Sequence, residues 1–170
     1  MIEVAGDQVY CTFLSSDKTF DMAKIVTNLE STDLNKPRSA WWGSPVDAEL
    51  GWAQWCLEEE FALDEYDFDK DPITWTLPED AKVFRVTLKD VLDPLFGELY
   101  SFVDHYYISL FHHYCKLDFN KLAEAGIVAV ELTDPSIGHG FYNPVESMFN
   151  YWDCQSIVVL DSSKIQFNYN

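Results

Sequence analysis

Short segments in which apolar and polar residues alternate recur along the chain, and this spacing is typical of β-strands. Residues 82–87 show this alternation, residues 127–132 are a second clear strand candidate, and residues 152–160 are the best candidate for a buried strand, since they end in a continuous apolar run. We predict further strands over the following ranges: 8–13, 39–44, 73–77 and 164–169.

Other segments have the spacing of amphipathic helices. Residues 20–29 and 46–61 carry apolar side chains on one face, and Ser44 and Pro45 are suited to the N-cap and first position of the second helix. Residues 118–125 predict a capped helix that ends at Gly126. Residues 100–114, rich in aromatic and histidine side chains, predict a helix over the sheet, with a strand as the alternative.

These elements define an α+β chain. At 170 residues it fits a single domain, residues 1–170, and we expect a mixed, mostly antiparallel sheet with peripheral helices. No apolar run is long enough for a membrane span. The first residues lack the basic and apolar regions of a secretory signal, so a cytoplasmic location is expected.

The charge is strongly negative, with 11 Lys+Arg against 29 Asp+Glu and a net charge of −18. Direct nucleic-acid binding is therefore not expected, because phosphate contacts require a basic surface. Many acids fall in residues 58–71, an exposed loop or helix end, and they favour a partner with a basic surface; solubility alone is the alternative. The candidate partner-binding residues are Glu58, Glu59, Glu60, Asp64, Glu65 and Asp67.

The cysteines and histidines do not form a recognisable metal motif. The four cysteines show no Cys-x-x-Cys spacing, so we expect reduced, buried thiols. His112 and Cys115 could share a zinc site, but the second half of such a motif is missing, and no metal is predicted. His139, between two glycines, could reach a ligand from a loop.

Three segments carry a family resemblance. Residues 156–161 (Ser-Ile-Val-Val-Leu-Asp), followed by Ile165-Gln166 and Tyr169, resemble the closing catalytic strand of the poly(ADP-ribose) polymerase branch of the ADP-ribosyltransferase superfamily. Residues 41–45 (Trp-Trp-Gly-Ser-Pro) resemble the strand-then-serine element that lines its nicotinamide pocket. Residues 118–132, a helix and a strand before Trp152-Asp153, are similar to small phage and bacterial proteins of this type.

The resemblance implies a phage or mobile-element protein that transfers ADP-ribose from NAD to a host protein. Asp153, Gln155 and Ser156 would then act at the ribose, and Ser44 and Trp42 would hold nicotinamide. On the opening strand, Tyr10 and Thr12 take the place usually held by Arg or His, and His139 is a further candidate for cofactor binding.

One departure keeps a second function open. Ser156 stands where the superfamily has its catalytic acid, and a serine cannot supply that charge. The alternative is a non-catalytic acidic inhibitor, similar to an anti-CRISPR protein or a DNA mimic. It would occupy the basic, nucleic-acid-binding surface of a host defence complex.

Overall fold

The structure is a computed structural model of the chain. It describes residues 1–16, 18–32, 35–92, 98–109, 112–134, 136–137, 146–149 and 151–168. Its strands are, in chain order, β1 (Ile2–Val4), β2 (Tyr10–Thr12), β3 (Asn28–Ser31), β4 (Pro37–Ser39), β5 (Trp41–Pro45), β6 (Ile73–Thr76), β7 (Lys82–Val86), β8 (Val103–Ser109), β9 (His112–Leu117), β10 (Ile127–Leu132), β11 (Ser156–Val159) and β12 (Gln166–Phe167). The α-helices are α1 (Trp52–Glu58), α2 (Leu88–Leu92) and α3 (Phe119–Glu124).

One large sheet organises the fold. Its strand order is β1-β7-β10-β11-β5-β2-β6-β12, and neighbouring strands are antiparallel except for the parallel pair β7 and β10. Two further hairpins pair β3 with β4 and β8 with β9. The expected α+β class and the mixed, mostly antiparallel sheet are therefore confirmed.

Both faces of this sheet are covered by apolar side chains. Along β11, Val158 belongs to a core shared with α3 and β9, whereas Ile157 and Val159 belong to the core on the opposite face. Alternate residues of a strand point to opposite faces, so a central strand buried on both sides is apolar throughout. This explains why the run from Ile157 to Leu160 is continuously apolar.

Two helix predictions are wrong, and a third is too long. Residues 20–29 form a 3-10 turn at Met22–Lys24 and then enter β3. Residues 100–114 lie largely in β8 and β9, the alternative left open by the sequence, because dense aromatic side chains suit a pleated surface. The predicted helix 46–61 is reduced to α1, with turns before it and Gly51 at its N-cap.

The capped helix before the strand at 127–132 is confirmed. The Asp118 carboxylate accepts a hydrogen bond from the Lys121 backbone N–H at 2.9 Å and so caps α3. Gly126 then adopts a φ of +79°, in the left-handed region that favours glycine, and β10 follows at once.

Candidate functional site

A cleft of about 280 Å³ opens beside the middle of the large sheet, where β2, β5 and the segment leading into β11 adjoin. We call it the central cleft. It brings together residues far apart in sequence, and five of them were predicted as site residues: Thr12, Trp42, Ser44, Asp153 and Ser156.

Strand alternation on β5 places two of these residues on the cleft. Trp42 and Ser44 share one face, and Trp42 packs edge-on against Trp152 with ring centroids 4.9 Å apart. Between them, Gly43 allows neighbouring groups to approach closely, since a Cβ there would lie 2.8 Å from both the Cys11 carbonyl oxygen and Cζ2 of Trp75. A larger residue at position 43 would push β2 away from β5.

The hydroxyl groups of the cleft are engaged with the protein itself. Oγ1 of Thr12 donates to the Trp42 carbonyl oxygen at 2.6 Å, and Oγ of Ser156 donates to the Cys154 carbonyl oxygen at 3.1 Å. Oγ of the buried Ser44 accepts from the Trp52 backbone N–H at 3.0 Å, so it holds the first residue of α1. These three side chains therefore shape the wall of the cleft.

Aromatic rings form much of the remaining wall. Trp52 and Tyr66 line the cleft beside Trp42, with the Trp52 and Tyr66 centroids 5.9 Å apart. Tyr151, which is partly exposed, adds a fourth ring. Rings arranged in this way favour a planar, ring-containing ligand, because aromatic faces and edges stack on such groups.

Two opposite charges lie in this aromatic setting. Nζ of Lys36 is 5.5 Å from the centroid of the Trp42 ring. Burial lowers the pKa of Lys36, and the nearby Asp153 carboxylate opposes this effect. Within the described part of the chain, neither side chain forms a hydrogen bond or a close ion pair. Lys36 was not predicted as a site residue, since in the sequence it is one lysine of a polar loop.

Tyr10 lies away from the cleft, in the core on the opposite face of the sheet. It is fully buried and stacks on Trp75 with centroids 4.9 Å apart, and its hydroxyl lies 3.4 Å from the Glu131 carboxylate. Burial is the main cause that raises the Tyr10 pKa, and Glu131 adds to it. The expectation that Tyr10 contacts a cofactor does not fit this position, because the side chain is fully buried against Trp75 and does not line the cleft.

Gln155 is likewise not among the residues that line the cleft. Its Oε1 accepts from the Leu50 backbone N–H at 3.0 Å, and its Nε2 donates to the Thr133 carbonyl oxygen at 3.1 Å. The side chain thus joins the loop before α1 to the end of β10. The catalytic role expected of Gln155 is not supported by this geometry. His139 lies outside the described residues.

The predicted partner-binding acids follow the end of α1 and are all exposed: Glu58, Glu59, Glu60, Asp64, Glu65 and Asp67. Two aromatic residues of the same segment pack inward, with Tyr66 stacked on Phe68 and Phe68 in contact with Phe13. Three apolar side chains stand exposed among the acids, namely Leu57 (53%), Phe61 (49%) and Leu63 (45%). This acidic segment, residues 57–68, therefore presents both charge and apolar surface.

All four cysteines are free, and Cys56, Cys115 and Cys154 are buried. Burial raises the pKa of Cys56 to about 11 and that of Cys154 to about 12, so both thiols are protonated at neutral pH. Among the described residues, no three His, Cys, Asp or Glu side chains converge as metal ligands.

No helix in the described ranges has the length and apolar character to cross a membrane. Comparisons of the chain with protein-family models, curated proteins and solved structures give no significant match. The geometry of the central cleft and the charge distribution are therefore the features that bear on function.

Proposed function

We propose that the central cleft binds the nicotinamide end of NAD and that the protein transfers ADP-ribose to a host protein. The observation that carries the proposal is the convergence of Trp42, Ser44 and Asp153 in one aromatic cleft. The sequence predicts all three as site residues, although Asp153 lies more than 100 residues after Trp42 and Ser44. At about 280 Å³, the cleft suits one ring and its sugar, with the rest of the dinucleotide outside.

Asp153 is the group suited to assist the reaction. In the transfer, the bond from ribose C1′ to the nicotinamide nitrogen breaks, and nicotinamide leaves with the bonding electrons. A nucleophile on the acceptor then bonds to C1′ and loses its proton. Positive charge develops on the ribose in between, and a carboxylate free of other partners stabilises it. Asp153 fits this role better than Ser156, whose hydroxyl donates to Cys154.

The experiment compares Asp153→Asn with Asp80→Asn, a matched change at an exposed acid outside the cleft. Release of nicotinamide from NAD is measured by chromatography, with thermal unfolding as the check on folding. We expect the Asp153 variant to lose turnover by at least about 100-fold, and the Asp80 variant to match the parent. Equal turnover by the parent and Asp153→Asn would remove Asp153 from the reaction.

The acidic segment supports a second candidate function, a non-catalytic inhibitor that binds a basic, nucleic-acid-binding protein surface. The supporting observation is that exposed Leu57, Phe61 and Leu63 lie among the exposed acids. Charge complementarity would steer the encounter, and apolar contacts of this kind would add affinity at the interface.

This candidate is tested by neutralising the six candidate acids to Gln or Asn. The control neutralises six exposed acids elsewhere on the chain: Asp7, Glu49, Glu79, Asp80, Asp104 and Glu124. Binding to a purified basic DNA-binding protein of the host is measured at rising salt, with duplex DNA as competitor. We expect only the first variant to lose affinity and salt dependence. Equal loss in both variants would mean that overall charge, not this segment, is responsible.

A further inference from the structure

The central cleft contains a cation, Lys36, that forms no ion pair with any residue the structure describes. In a chain with 29 acidic and 11 basic residues, a lysine has many carboxylates available as partners. Lys24 and Lys70 indeed form ion pairs with Asp21 and Asp67 at the surface. Lys36 instead lies half-buried in the cleft, and its ammonium forms no ion pair with a described residue.

The backbone on either side of Lys36 is firmly held, so its position is a property of the fold. Asn35 is buried and has a φ of +57°, a left-handed conformation that asparagine tolerates. Its side chain hydrogen-bonds to the edge of β9, accepting from the Leu117 N–H at 2.9 Å and donating to the Cys115 carbonyl oxygen at 3.3 Å. The Asn35 carbonyl oxygen accepts from Nε1 of Trp152 at 3.3 Å, which ties the turn to the wall of the cleft.

The surroundings of the Lys36 ammonium favour an anionic ligand. The Trp42 ring supplies cation–π attraction, but it does not replace the hydrogen bonds that water gives an ammonium group. Asp153 attracts Lys36 without forming a close pair, and no described residue accepts a hydrogen bond from its three N–H donors, which could therefore serve a ligand. A charged acceptor forms stronger hydrogen bonds with an ammonium than a neutral acceptor does.

We propose that Lys36 is the anion-recognition residue of the central cleft, and that its ligand carries a phosphate or carboxylate beside a planar ring. This inference goes beyond the proposed function, because it fixes a charge requirement that holds whether or not NAD is turned over. The net charge of −18 repels anions at a distance, so the preference must arise locally, within the roughly 8 Å over which charges act at physiological salt.

Matched pairs of ligands test the charge requirement directly. Nicotinate and nicotinamide share a ring and differ in a carboxylate, whereas AMP and adenosine differ in a phosphate. Each is titrated into the full chain by calorimetry, with tryptophan fluorescence as a second readout because Trp42 and Trp52 line the cleft. We expect the anionic member of at least one pair to bind about tenfold more tightly. The pair that discriminates identifies the anion as carboxylate or phosphate.

Variants assign the preference to Lys36. Lys36→Gln should abolish the discrimination, Lys36→Arg should retain most of it, and Lys164→Gln, at an exposed lysine outside the cleft, should leave it unchanged. In the parent protein, rising salt should weaken only the anionic ligands, a result that does not depend on how a variant folds.

Three results would overturn the inference. They are equal affinity within both pairs, discrimination that persists in Lys36→Gln, and no binding of any of the four ligands at concentrations on the order of 10 mM. If AMP binds more tightly than adenosine while NAD is not turned over, the anion requirement stands and the transferase proposal fails.

Discussion

Replacing Asn35 by alanine should destabilise the protein and disturb the turn that carries Lys36. Asn35 is 4% exposed, and its carboxamide makes two hydrogen bonds to the backbone of β9, at 2.9 and 3.3 Å. The carboxamide thus forms the hydrogen bonds to these β9 backbone groups that a neighbouring strand would otherwise form. Alanine removes both bonds and also has to adopt the φ of +57°.

The magnitude follows from these two effects. Each lost hydrogen bond contributes about 0.5–1.5 kcal/mol, so the pair accounts for about 1–3 kcal/mol of the free energy of unfolding. The left-handed conformation adds about 1 kcal/mol for alanine. We therefore expect Asn35→Ala to lose about 2–4 kcal/mol. Asn35→Gly loses the same bonds but tolerates the conformation, so it should be the more stable of the two variants.

Urea denaturation followed by circular dichroism measures both differences, provided that the dependence of the free energy on urea stays constant across the variants. A loss of less than about 0.5 kcal/mol in Asn35→Ala, the spread typical of surface substitutions, would contradict the contribution assigned to the two hydrogen bonds. A glycine variant less stable than the alanine variant would contradict the cost assigned to the left-handed conformation.

Three further predictions concern Gly43 in the cleft and two residues outside its lining, Gln155 and Cys56. Gly43→Ala should destabilise by about 1–3 kcal/mol in urea denaturation, because its Cβ would meet the Cys11 carbonyl oxygen and the Trp75 ring at 2.8 Å; parent-like stability would contradict this close approach. Gln155→Ala should lose about 1–3 kcal/mol of stability with ligand affinity unchanged, because the oxygen and the nitrogen of its carboxamide both hydrogen-bond to backbone. A loss of affinity without a loss of stability would show instead that Gln155 contacts the ligand. Raising the pH from about 9 to about 11 should lower the free energy of unfolding. The native Cys56 thiol has a pKa of about 11 and holds its proton more tightly than the unfolded thiol, which has a pKa of about 8.5. The unfolded chain therefore loses this proton first, and that loss favours unfolding. Cys56→Ala should show a smaller fall over this range, and an equal fall in both proteins would exclude the thiol as a cause.

The strands of the large sheet could be predicted because their burial leaves a local pattern. The alternation over residues 82–87 and the apolar segment at 152–160 correspond to β7 and β11, although β11 itself is shorter.

Helices were harder to predict where aromatic residues dominate. In residues 100–114, helical and strand spacing cannot be separated by sequence, and the pairing of β8 with β9 decides the outcome.

Some residues of the candidate site could likewise be predicted from a local pattern, and others could not. Trp42 and Ser44 could be selected together because residues two apart on a strand share a face. The burial of Tyr10 could not be predicted, because it depends on contacts with Trp75 and Glu131, which are distant in sequence. Lys36 could not be selected at all, since its place in the cleft depends on the buried contacts of Asn35 with β9 and Trp152.

Binding of NAD to the 170-residue chain tests the central claim most directly, by calorimetry and by the shift of the unfolding transition under a saturating titration. A ligand held by the native cleft should stabilise the protein by about 2.7 kcal/mol at a hundredfold excess over its dissociation constant. We predict a saturable response with one site per chain, weakened in Lys36→Gln and unchanged in Asp80→Asn. No response at millimolar NAD would contradict the proposal that the central cleft holds the nicotinamide end of this dinucleotide.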